Sequence, residues 1–160
     1  MKKGIQEYKY IKQQGGRGRY AVVKLEVKPY HSGLKITEDY KWSQFQQYNK
    51  WEKEPVGILE IKANCLNCLK DVYDTFFSNK NMEIIIHDVE ILVVDTIPAH
   101  ICAALTIGLF DLLGETLNSK EVKSIDEYVS LFNVNDKLPD FKKLAITIRT
   151  QNPVGARRSH

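Results

Sequence analysis

The period of the hydrophobic residues changes several times along this chain, and each change marks an element. From Gly4 to Gln14, Tyr8 and Tyr10 alternate with Lys9 and Ile11, which predicts a strand. Arg19 to Lys28 is clearer: Ala21, Val23, Leu25 and Val27 share one face, Lys24, Glu26 and Lys28 the other, and Pro29 ends the run. Gly15-Gly16-Arg17-Gly18 lies between them. It reads as a turn whose three glycines can visit positive φ, so the strands form a hairpin with a glycine-rich tip.

Ile58 to Ser78 is helical, with Ile58, Ile61, Cys65, Leu69, Val72 and Phe76 at three- and four-residue steps. Met82 to Val94 is rich in Ile and Val and reads as a strand, interrupted by His87-Asp88. A second helix opens at Asp95-Thr96-Ile97-Pro98, with Thr96 as cap and Pro98 in the first turn. Its buried stripe is Ile101, Leu105, Leu109 and Leu112, and Gly114 or Asn118 ends it. Ser124-Ile125-Asp126-Glu127 fits a capping box before a short helix reaching about Phe132. Leu144 to Ile148 reads as a last strand, and Gln151 to His160 as a basic tail.

Residues 30–57 show no clean period. Tyr40, Trp42, Phe45, Tyr48 and Trp51 form a dense aromatic stretch, suited to covering the edge of a small core or to stacking on a partner.

The 160 residues fit one α+β domain, divided here into residues 1–117 and a 118–160 extension packed on it or appended to it. No apolar run approaches the roughly 20 residues of a membrane span. The opening Met1-Lys2-Lys3-Gly4-Ile5 has no apolar core of a signal peptide, so the expectation is a cytoplasmic protein with no membrane partner. Charge adds a second signal. Residues 1–28 carry a net charge of +6 and residues 137–160 a net of +5, against +3 for the whole chain. Two basic ends around an acidic middle suit an anionic partner, or simply keep the chain in solution.

Candidate chemistry is sparse. Cys65 and Cys68 have C-x-x-C spacing, but no second pair completes a zinc site, and the motif lies inside a helical pattern. They read as structural thiols, with Cys102 the third. His87 and Asp88 are adjacent on a predicted strand and so point to opposite faces. His100 and Cys102, two positions apart on a helix, diverge. Neither pair makes a site, and a cryptic enzyme built on Cys102 or His87 is the weakest reading. No phosphate loop, catalytic triad or metal signature is present, so the expectation is a non-enzyme without metal, nucleotide or other cofactor.

The stretch Tyr8 to Pro29, with Gln13-Gln14-Gly15-Gly16-Arg17-Gly18-Arg19-Tyr20 at its centre, closely resembles the opening of domain IV of translation elongation factor G. That family shows Q-x-G-G-R-G-Q-[YF] before an alternating strand that ends in Pro. Here Arg19 stands where Gln is usual, and Ala21-Val22 where Gly-His is common. Val89 to Leu113 is similar to the family's later strand and helix. The resemblance covers about residues 5–115, strongly over the first 25 of them.

It implies a ribosomal protein S5 domain 2-like two-layer sandwich, a mixed sheet with two main helices on one face. It also implies an arm that contacts the ribosome through two adjacent loops. One is the glycine-arginine turn; the other corresponds to Val94-Asp95-Thr96-Ile97-Pro98-Ala99-His100, which lacks the family's tip histidine. With no GTPase motif, the chain reads as a stand-alone domain of this type, contacting ribosomal RNA through Lys12, Gly15, Gly16, Arg17, Gly18, Arg19 and Tyr20. Glycines let backbone N–H groups approach phosphate, and Arg offers a planar fork to it. The alternative is a protein-interaction module on a degenerate version of the fold, which binds a protein through Tyr40, Trp42, Phe45 and Trp51 or self-associates.

Overall fold

Two long strands begin the chain, β1 (Gln6–Gln14) and β2 (Arg17–Pro29), paired antiparallel from Gln6↔Leu25 to Gln14↔Arg17. The hairpin is thus more continuous than its glycines predict. Only two residues link the strands, Gly18 pairs with Gln13, and Arg19 pairs with Lys12 inside the ladder. The computed structural model describes residues 1–14, 17–46, 57–92 and 95–131.

After Pro29 the chain turns through Gly33, at φ 67°, into β3 (Leu34–Glu38). A single helical turn, α1 (Ser43–Gln46), follows. The helix α2 (Ile58–Val72) continues into a π turn, Tyr73–Phe77. Strand β4 (Met82–Glu90) then enters the sheet between β2, to which it is antiparallel, and β3, to which it is parallel. The sheet order is β1-β2-β4-β3. Helix α3 (Pro98–Leu112) packs on β1 and β2, with α2 and α4 (Ser119–Val129) against it. The fold is α+β, with a four-stranded mixed sheet and three main helices among the described residues.

The core lies between the sheet and the helices. Tyr10, Ala21, Val23, Leu25, Val27, Ile84, Ile86 and Val89 meet Cys65, Leu69, Leu105, Leu109 and Phe110 in one buried cluster. Ile125, Tyr128 and Val129 of α4 belong to the same cluster. Burying so many apolar side chains, each contributing roughly 1.5–3 kcal/mol, is what holds the layers together.

Three local expectations change. Strand β4 ends at Glu90, while residues 93–94 lie outside the described residues. The second helix is capped at Ile97 rather than Thr96; the Thr96 hydroxyl donates instead to the Tyr20 carbonyl at 2.6 Å. Helix α4 starts earlier than Ser124. Asn118 Oδ1 accepts from Glu121 N, and Asn118 N donates to Glu121 Oε1, both at 2.9 Å. That reciprocal pair satisfies two free N–H groups, so this is the working capping box. The expected strand at 144–148 and the basic tail lie outside the described residues. No helix among the described residues is long and apolar enough to cross a membrane.

Candidate nucleic-acid interface

The far end of the β1–β2 hairpin carries the residues singled out for phosphate contact, and the ladder sorts them. Gly15 and Gly16 lie outside the described residues; Arg17 opens β2 directly after them. Gly18 is extended in the strand rather than in a turn, so the freedom to reach positive φ is not what it supplies. It supplies space: a Cβ added there would sit 3.1 Å from an Asp95 carboxylate oxygen. The β4–α3 connection therefore packs against the hairpin end, held also by Thr96 on the Tyr20 carbonyl.

Strand alternation sends Lys12 and Arg19 to the helix side, where α4 meets them. The Arg19 guanidinium donates to the Tyr10 hydroxyl and to the Asp126 main-chain carbonyl, both at 3.2 Å. Tyr10 in turn donates to Asp126 Oδ1 at 2.8 Å, and Lys12 Nζ lies 3.6 Å from Asp126 Oδ2. Arg19 is thus a bracket between sheet and helix, not the exposed tip cation that its neighbouring glycines predict. Tyr20 lies on the opposite face, half-buried, with its hydroxyl donating to Glu90 at 3.2 Å. Asp126 and Asp95 are members of this site that local sequence does not reveal, because they approach from more than 70 residues away.

These contacts leave their mark on proton affinity. Burial pushes the Tyr10 hydroxyl up to about 12; Arg19 pulls the other way and Asp126 reinforces the rise. His100, at the start of α3, is pushed down to about 4 by burial, with the Arg19 charge adding to the effect. Its Nδ1 accepts from Ile97 N at 3.2 Å, so it caps a helix and does not stand in for a tip histidine.

Trp42 is only 5% exposed and stacks on Tyr40, with ring centroids 4.8 Å apart and planes inclined by 9°. Tyr40 is itself half-buried against the core. The pair covers a core edge, the first of the two readings of this segment. Phe45 belongs to the α1 turn, and Tyr48 and Trp51 lie outside the described residues.

His87 and Asp88 also depart from expectation. The ladder between β2 and β4 slips at Lys24/Leu25: Lys24 pairs with Asp88 and Leu25 with Ile86, leaving His87 extra. A bulge of this kind breaks the alternation of faces. Both side chains consequently line one shallow hollow of about 350 Å³ with Ile5, Glu7, Lys24, Lys41 and Ser43. Their partners are structural. His87 Nε2 is 2.8 Å from Glu26 Oε1, and buried Asp88 accepts from Trp42 N at 2.9 Å.

The three cysteines are free and buried, and burial pushes the Cys65 and Cys102 thiols up, away from the reactive thiolate form. Among the described residues no group of three or more His, Cys, Asp or Glu is placed to hold a metal ion.

No protein-family model matches the chain, and no curated protein matches it. A crystal structure of a Thermus thermophilus protein is similar at 17% identity and TM-score 0.47, covering 64% of this chain. This chain spans 14% of that protein's length.

Proposed function

We propose that this chain is a non-enzymatic RNA-contacting domain of the ribosomal protein S5 domain 2-like kind, which engages ribosomal RNA through the end of its β1–β2 hairpin. The observation that carries the reading is that the β4–α3 connection packs on β2 near the hairpin end. The β4–α3 connection packs on the hairpin through Asp95 beside Gly18 and Thr96 on Tyr20. That packing supports the two-loop tip that the elongation factor G resemblance implies.

The contact is narrower than the sequence pattern alone implies. Arg19 already serves α4, and Lys12 shares Asp126 with it, although the Lys12 side chain keeps 40% of its surface exposed. Phosphate recognition then rests on Gly15, Gly16 and Arg17, with Lys12 beside them. The aromatic pair Tyr40–Trp42 gives the protein-binding alternative little surface to use.

Co-sedimentation with purified ribosomes and subunits over a salt series tests this. Arg17→Ala should weaken binding and reduce the salt slope by about one, the signature of one lost phosphate contact. Arg19→Ala should lower stability more than it changes that slope. Binding that is absent at low salt, or untouched by Arg17→Ala, would sink the assignment.

A further inference from the structure

Among the described residues β1 is an outer strand of the sheet, paired on one side with β2. The two-residue link makes Gln14↔Arg17 the hydrogen-bonded closing pair. Even-numbered residues of β1 therefore direct their N–H and C=O groups at β2, and odd-numbered residues direct theirs at the outer edge. The odd-numbered side chains Glu7, Lys9 and Ile11 also share the face away from the helices, and all three are exposed. Ile5, directly before the strand, is 54% exposed and Ile11 48%.

The segment Ile5-Gln6-Glu7-Tyr8-Lys9-Tyr10-Ile11 is self-complementary about Tyr8. Paired antiparallel with its own copy, Glu7 opposes Lys9, Ile5 opposes Ile11, and symmetry repeats each pair. Opposite charges and apolar pairs set directly across a ladder both stabilise it, whereas like charges do the reverse. Neighbouring registers fail this test. A two-fold axis through Glu7 or Lys9 sets that charge against itself, and one through Tyr10 sets Lys9 against Ile11. Only the axis through Tyr8 opposes both charges and both isoleucines with odd-numbered residues facing each other.

We propose that β1 pairs with β1 of a second copy of this chain across a two-fold axis through Tyr8. The four described strands of each copy then join into one continuous sheet. The Ile5 and Ile11 side chains, exposed in the single copy, cover one another, and Lys9 exchanges its weak contact with Glu7 of its own strand, at 3.4 Å, for the Glu7 opposite. Such a contact is isologous and closes on itself.

Sedimentation of the full chain over a concentration series decides the matter, with circular dichroism confirming that each variant is folded. A short edge contact falls at the small end of interface sizes, so the wild type should dimerise with Kd on the order of tens of micromolar. Lys9→Glu sets Glu against Glu twice and should weaken the dimer about tenfold or more. The double variant Glu7→Lys with Lys9→Glu restores opposite charges across the axis and should recover it. A wild type that stays monomeric up to about a millimolar, far above that Kd, overturns the proposal. So does a dimer indifferent to Lys9→Glu, or a folded double variant that fails to recover association.

Discussion

Arg19 donates to the main-chain carbonyl of Asp126, 3.2 Å away and 107 residues further along the chain. The same aspartate accepts the Tyr10 hydroxyl on its carboxylate. A cation that the glycine pattern advertises as a ligand-binding tip residue is thus part of the joint between the hairpin and α4.

Asp126→Ala should therefore be felt in the hairpin. It takes away the acceptor of the Tyr10 hydroxyl, leaving that oxygen only the Arg19 donor, and removes the ion-pair partner of Lys12. Losing one buried hydrogen-bond partner costs about 1–3 kcal/mol. Asp126→Asn keeps an acceptor for Tyr10 and should cost less. Urea unfolding of both variants checks the ordering; equal, negligible losses would show that α4 is not anchored here.

His100 predicts a particular acid limb. Its folded-state value of about 4 lies below the ordinary 6.5, so between those values the unfolded chain binds more protons than the folded one. Stability then rises with pH through that window and is lost as pH falls through it. The full effect is about 3 kcal/mol at most. His100→Gln retains an acceptor for Ile97 N but cannot titrate there, so its stability should vary less over the same range. Parallel pH profiles for variant and wild type would remove His100 as the cause.

Gly108 makes the third prediction. A Cβ there would lie 2.6 Å from the Tyr8 ring, whose hydroxyl is tied to Asp111 at 2.8 Å, so the ring cannot easily retreat. Gly108→Ala should cost about 1–3 kcal/mol from overpacking, despite alanine's better helix propensity. An unchanged or raised unfolding midpoint would place Tyr8 elsewhere.

How much of this is legible in the sequence depends on the range of the signal. Strands β1 and β2 and helix α2 show because each buries a regularly spaced face, and α3 because it is apolar and buried around almost its whole circumference. Strand β3 does not: Leu34-Lys35-Ile36-Thr37-Glu38 is short, lies at the sheet edge and buries only partly. The start of α4 reads too late because Asn118 to Glu121 and Ser124 to Glu127 carry equivalent capping patterns, and only the fold chooses between them. The faces of His87 and Asp88 are misleading in the sequence because a bulge is set by the partner strand, not by local alternation. At the site, glycines signal a turn and a strand equally well, so Gly18 and Arg19 cannot be divided from Gly15 and Gly16 without the ladder.

The pairing that persists to Gln14 and Arg17 has a consequence for whatever meets that end of the sheet. Two strands zipped up to a two-residue link arrive already ordered, so docking would immobilise little further chain. Association there is spared most of the entropy that a long recognition loop must surrender. Even a small contact area can then convert into useful affinity, and specificity falls to the few groups that the stiff hairpin holds out.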